Sequence, residues 1–234
     1  MPSNRVDAAS LTAAELAGYL DHTLLAPNSA RSDILTLCAE AAEHGFRSVC
    51  VNPLWVSTAR EALRGTDVLT CSVAAFPFGA TPTDAKVHEA RGACLDGADE
   101  VDMVITIPAV IALDRHAVVA DIAAVAEAVH QNQAIVKVII ETSMLTDEQK
   151  EFACRCAVDA GADFVKTSTG FGGGGATVAD VALMRRTVGE HLGVKASGGV
   201  RTRDDALAMI NAGASRIGAS SGIAIVTGGA GTGY

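Results

Sequence analysis

The chain has 234 residues, is 49% hydrophobic but only 4% aromatic, and carries a net charge of −9. That length holds about one domain, and a composition rich in Ala, Val, Ile and Gly favours α/β packing of small residues over an aromatic-rich binding module. The acidity argues against nucleic acid and anionic membrane surfaces as partners, which need clustered Lys and Arg, while leaving room for a local positive pocket that binds a small anion.

No run of about 18 apolar residues indicates a membrane span, and "MPSNRVDAAS" lacks the apolar stretch of a secretory signal. A cytoplasmic location is therefore expected. The six cysteines, Cys38, Cys50, Cys71, Cys94, Cys154 and Cys156, form no C-x-x-C pair and read as buried thiols. Cys154 and Cys156 fall on one predicted helix, where positions i and i+2 point apart, so a metal site there is not expected. The six histidines have no metal-ligand spacing, and His22 reads as structural.

In chain order, strands and helices alternate after an additional N-terminal helix. "LDHTLL" (20–25) is the first strand, and "SDILTLCAEAAEH", opening at Ser32, is the helix that follows. Four segments then echo one another: "AEHGFRSVCV", "LDGADEVDMVI", "DAGADFVKTS" and "NAGASRIGAS". Each is a helix end, a glycine and a short apolar strand, which makes Gly45, Gly97, Gly161 and Gly213 left-handed helix stops. Thr83, Thr146 and Thr202 are the predicted N-caps of later helices. "VLTCSVAAF" (68–76), "AIVKVIIET" (134–142) and "GVKASGG" (193–199) complete eight strands. Eight such units joined by crossovers predict a single (β/α)8 barrel over residues 1–234, with residues 227–234 as a flexible Gly-rich tail. A doubly wound open sheet is the alternative, but "DHTLLAPNSA" lacks the Gly-rich turn expected after its first strand.

The chain has only five lysines. Lys86 and Lys150 fall on helices and read as solvated. Lys137, Lys166 and Lys195 fall on strands five, six and seven, neighbours in a barrel. A single strand lysine is as well explained by an ion pair, here with Asp102 or Glu141. Three together point to a neutral amine beside charged ones, the condition for attack on a carbonyl. Asp102, inside the apolar run "EVDMVIT", is either a partner in such an ion pair or a proton relay. Glu100, at the strand's start, reads as a surface residue. "SGG" (197–199) and "GASSG" (218–222) end strands seven and eight, where barrels of this kind often bind phosphate through backbone N–H groups. "GFGGGG" (170–175) lacks the ending of a P-loop and reads as a flexible loop.

Taken in order, "LDHTLL", "VCVNP", "EVDMVI", "KVIIET", "DFVKTSTGF", "GVKASGGVRT" and "GASSG" resemble the deoxyribose-phosphate aldolases over about residues 16–222. The resemblance implies a class I aldolase on a (β/α)8 barrel, with no metal and no organic cofactor, acting on phosphosugar and aldehyde substrates. It implies Lys166 as the Schiff-base nucleophile, Lys195 as the second lysine that keeps it partly neutral, and Asp102 as the proton relay. Cys50 would face the substrate. Thr169, Gly170, Gly198, Gly199, Gly218, Ser220 and Ser221 would hold substrate and phosphate, and the C-terminal Tyr234 would serve as a further proton relay. The pattern departs at Phe171, where some relatives have a phosphate-binding lysine, and at Pro108, where a glycine is usual. A homo-oligomer, a dimer, is expected. The competing readings are a silent sugar-phosphate-binding barrel and another phosphosugar lyase.

Overall fold

The computed structural model describes residues 8–229. Eight parallel strands close into a barrel in sequence order: β1 (Leu20–Leu24), β2 (Ser48–Val51), β3 (Leu69–Ala74), β4 (Glu100–Val104), β5 (Ile135–Ile139), β6 (Phe164–Lys166), β7 (Gly193–Ser197) and β8 (Arg216–Ala219). Around them run α1 (Ala13–Ala17), α2 (Arg31–His44), α3 (Val56–Ala62), α4 (Thr83–Leu95), α5 (Ile107–Ile111), α6 (Arg115–His130), α7 (Asp147–Asp159), α8 (Val178–Val188), α9 (Arg203–Asn211) and α10 (Gly222–Thr227). The predicted (β/α)8 barrel is what forms. An open sheet is ruled out because β1 pairs with β8, Asp21 opposite Gly218. The additional N-terminal helix is the short α1, held by a Thr12–Glu15 capping box.

Local signals explain most element boundaries. Gly45, Gly97, Gly161 and Gly213 all take positive φ, from +68° to +114°, a conformation that costs a residue with a Cβ much more than glycine. Thr146 and Thr202 cap α7 and α9 with full capping boxes. The other two predicted caps are corrected. Helix α2 begins one residue before Ser32, and its first turn is secured by the Asp33 carboxylate accepting from the Ala30 N–H at 2.8 Å. Thr83 is itself the first residue of α4, and its hydroxyl donates to Asp121 instead. Pro108 sits in the first turn of the short α5, a position that needs no N–H donor.

The period of two along each strand separates two interiors. Val49, Val101, Met103, Val136, Val165 and Val194 point outward into the main apolar core under the helices. The residues between them point into the barrel, where the apolar cluster is small: Leu25, Cys50, Cys71 and Val73, with Phe76 packed against it. Barrel interiors are commonly filled with layers of branched aliphatics. Here much of that space is given to charge.

Two lysines read as solvated are not. Lys86 is fully buried on the inner face of α4, where its ammonium donates to the Val104 carbonyl at 3.0 Å, Thr106 Oγ1 at 2.8 Å and Asp121 Oδ2 at 2.7 Å. All three of its protons are used. Lys150 is only partly exposed and pairs with Asp180 at 2.7 Å. The helical pattern marked the faces of α4 and α7, but a long side chain on a face edge can turn under a neighbouring helix. Removing one partner of a buried pair leaves the other charge uncompensated. We therefore expect Asp121→Ala to lower unfolding stability in urea by about 3–5 kcal/mol. Glu61→Ala, which breaks the exposed pair with Arg64, is expected to cost less than about 1 kcal/mol. Equal losses would contradict this account of the Lys86 pair.

Candidate active site

Inside the barrel, three carboxylates and four cations form one connected set. Asp102 is fully buried and sits at its centre. Its Oδ1 accepts from Lys137 Nζ at 2.7 Å, and its Oδ2 accepts from both Lys166 Nζ and Lys195 Nζ, each at 2.8 Å. Strand register explains the convergence, because Asp102 lies opposite Lys137, and Lys166 opposite Lys195. Lys137 also pairs with Glu100 at 2.6 Å and Lys195 with Asp21 at 2.5 Å. Arg216 joins Asp21 to Glu100 at 2.7 and 2.8 Å. Glu100 is thus 1% exposed rather than a surface residue. The predicted Glu141 partnership does not occur: Glu141 turns away and binds Thr169.

The charges set one another's protonation. Burial works against the charge of Asp102, but Lys137, Lys166 and Lys195 outweigh it and hold the carboxyl well below the usual carboxylate range. Burial likewise disfavours the ammoniums of Lys137 and Lys195. For Lys137, Asp102 and Glu100 reverse that effect, with a contribution from Cys71; for Lys195, Asp102 and Asp21 do so. Both are held above the ordinary lysine value. Lys137 and Lys195 each have two carboxylates. Lys166 has one, shared.

Above this set a cleft opens at the C-terminal ends of the strands, where sites in such barrels are found. Lys166 reaches it from below. Thr169, Gly170, Gly198, Gly199, Gly218 and Ser220 line it, together with Thr23, Leu25, Ser197, Val200 and Ala219. Gly218 is required by close approach, because a Cβ there would stand 2.2 Å from Ser197 Oγ and 2.9 Å from Lys195 Cε. The loops after β6 and β7 touch backbone to backbone, with the Ala176 N–H donating to the Gly198 carbonyl at 2.9 Å. Glu141, in a left-handed conformation at φ 55°, pins the β6 loop by accepting from the Thr169 hydroxyl at 2.5 Å and its N–H at 3.2 Å.

The remaining predicted residues divide as follows. Ser221 is buried at the head of α10, next to the cleft-lining Ser220. Cys50 is fully buried in the apolar wall with Leu25, Cys71, Val73 and Phe76. Tyr234 lies outside the described residues. His22 pairs with Glu40 at 2.8 Å and packs against Phe46, as a structural histidine does. Phe171 packs edge-on against Phe76 at 5.4 Å, so the position presents an aromatic ring and no cation. Cys50, Cys71 and Asp102 bring donor atoms within 4.8 Å of one another. Both Asp102 oxygens are already bound by ammonium groups, so this set has no carboxylate to offer a cation.

The sequence reading missed Asp21 and Arg216. Asp21 lies in the largely polar strand "LDHTL" and Arg216 opens β8, so neither stands out as Asp102 does inside "EVDMV". Burial opposes the charge of Asp21, but Lys195 and Arg216 outweigh it and hold its carboxyl below the usual range. A carboxyl depressed in the folded state stabilises the protein above its unfolded pKa, about 4, and that contribution is lost as pH falls toward the folded value. Urea stability is expected to decline below about pH 4, and to decline less steeply in Asp21→Asn. Identical acid slopes would contradict this assignment.

The DeoC/LacD family aldolase model matches residues 16–228. The deoxyribose-phosphate aldolase of Rhodospirillum rubrum is 61% identical, over 93% of this chain and 90% of that protein. That of Bacillus subtilis is 58% identical, over 91% of this chain and 95% of its own. The solved deoxyribose phosphate aldolase of Aeropyrum pernix, a tetramer, superposes with a TM-score of 0.88 at 32% identity, over 97% of each chain. With the family model matching residues 16–228, the chain belongs to the DeoC/LacD family of aldolases.

Proposed function

We propose that this protein is a class I aldolase that reversibly cleaves 2-deoxy-D-ribose 5-phosphate to acetaldehyde and D-glyceraldehyde 3-phosphate, with Lys166 as the Schiff-base nucleophile. The observation that carries the proposal is the pairing of Lys166 and Lys195 on one oxygen of Asp102, at 2.8 Å each, on the floor of the cleft. The connected set has one more cation than carboxylates, so loss of one proton balances it. Lys166, with a single shared carboxylate and its position at the cleft, is the member best placed to give that proton up and attack.

The Lys166 amine adds to C1 of the open-chain sugar. The carbinolamine then loses water to form an iminium ion, an electron sink for cleavage of the C2–C3 bond. Glyceraldehyde 3-phosphate leaves, the enamine is protonated at C2, and hydrolysis releases acetaldehyde. Asp102, in contact with both amines, passes protons through these steps with Lys195 as its cationic partner, a role worth on the order of 10²–10⁴-fold. The phosphate lies against the loop N–H groups around Gly170, Gly198, Gly199 and Ser220, where positive-φ glycines let the backbone approach it closely. Nothing in this scheme calls for a metal or an organic cofactor. A silent binding barrel has no need of an amine held at the cleft, which disfavours that alternative.

The expected dimer belongs to the same proposal, supported by exposed apolar side chains such as Leu54 and Phe78. So do the single-domain organisation and the cytoplasmic location. The latter fits six free thiols and the lack, among the described residues, of any helix long and apolar enough to cross a membrane.

Borohydride reduction in the presence of acetaldehyde is expected to leave a two-carbon adduct on Lys166, mapped by peptide mass spectrometry. Lys166→Ala is expected to lose turnover while staying folded. Lys195→Ala is expected to lose on the order of 10²–10⁴-fold with a displaced pH profile. Full activity in folded Lys166→Ala, or adducts confined to other lysines, would overturn the mechanism.

A further inference from the structure

Cys50 and Cys71 are direct register partners on β2 and β3. Adjacent strands lie about 4.8 Å apart, within the Cα separation of about 4.4–6.8 Å that a disulfide spans. Both side chains point into the barrel, both are fully buried, and they belong to the same small apolar cluster. Their sulfurs lie within 4.8 Å of each other and of the Asp102 carboxylate. Cys71 Sγ donates to Asp102 Oδ1 at 3.3 Å and accepts from Lys137 Nζ at 3.4 Å. Leu25 of the same cluster lines the cleft, so one side chain of the cluster separates the pair from the cleft, and a small oxidant reaches the fully buried sulfurs only when that wall opens.

We propose that Cys50 and Cys71 are a redox pair: a peroxide converts them to a disulfide inside the barrel, and this reversibly switches the site off. The Cys50 thiolate attacks one peroxide oxygen. The S–O bond forms, the O–O bond breaks, and the leaving oxygen departs as water after taking a proton. Cys71 sulfur then attacks the sulfenic sulfur. The S–S bond forms, the S–O bond breaks, and a second water leaves with the Cys71 proton. Two thiols are oxidised by two electrons and one peroxide is reduced to two waters.

The chemistry favours this pair over the other thiols. The neighbouring Cys71 sulfur, with help from Lys195 and Lys166, pulls Cys50 below the ordinary thiol value against burial. Burial pushes Cys38 and Cys94 up to about 11 and Cys154 up to about 12. The thiolate is the form that reacts with peroxide. Once joined to Cys50, Cys71 can no longer donate to Asp102, and its sulfur is drawn toward β2. A misplacement of about 1 Å in such a preorganised site costs on the order of 10²-fold in rate.

The loss of activity rests on the aldolase reading, whereas the disulfide does not, so each needs its own readout. The folded, reduced protein is treated with hydrogen peroxide, alkylated and digested without reductant. The expected result is a Cys50–Cys71 cross-linked peptide, absent in Cys71→Ala. Deoxyribose 5-phosphate cleavage is expected to fall at least about tenfold and to return with dithiothreitol. Sulfinic acid on Cys50 without a cross-link, or cross-links among other cysteines, would overturn the redox pair. A Cys50–Cys71 cross-link with unchanged cleavage would overturn the switch alone. A cross-link in a protein that shows no cleavage even when reduced would instead count against the aldolase reading.

Discussion

The structure depends on one constraint: a carboxylate buried in a barrel must be compensated on every side. Asp102 is fully buried, and an isolated buried charge of that kind would neutralise itself by taking up a proton. Three ammonium groups prevent that, and two of them need carboxylates of their own, Glu100 and Asp21, which Arg216 then joins. The interior that usually holds aliphatic layers is given over to this set. Stability comes instead from the outer core, where the other strand residues meet the helices. Replacing a buried ion pair with apolar residues is often neutral or stabilising, so the set is better explained by the chemistry it permits than by the stability it adds.

That arrangement also divides the mouth of the barrel. On the side of β6, β7 and β8, glycines and small hydroxyl residues line the cleft, a surface suited to an anion. On the side of β2 and β3, Cys50, Cys71, Val73 and Phe76 form an apolar wall, and Phe171 extends it from the opposite loop. Lys166 stands between the two. A ligand with a charged end and a small carbonyl end fits this polarity, as the family assignment suggests.

The sequence made the barrel legible because its markers are local. Helix stops such as Gly45 and Gly161, caps such as Thr146 and Thr202, and alternating strands such as "EVDMV" each act within a few residues. Lys166, Lys195 and Asp102 were legible for a related reason, since a charge inside an apolar strand stands out. The misses were tertiary. Lys86 lies on a helix like any surface lysine, and only the packing of α4 against α6 and β4 buries it. Glu100 sits at a strand's start, and only the closure that brings β8 round to β1 places Arg216 within the same set. Glu141 turns from the lysines to the β6 loop through a left-handed backbone that no residue pattern announces. The pairing of Cys50 with Cys71 required the register of β2 against β3.

The central claim is that Lys137 and Lys195 remain cations while Lys166 is the amine that reacts. It is tested most directly by NMR titration of lysine side chains labelled with ¹³C at Cε, assigned by single Lys→Arg variants. The account expects the Lys137 and Lys195 signals to hold their protonated positions beyond the ordinary lysine value of about 10.5. Deprotonation of either between about pH 6 and 9 would contradict it, because a second neutral amine would then compete for the same carbonyl.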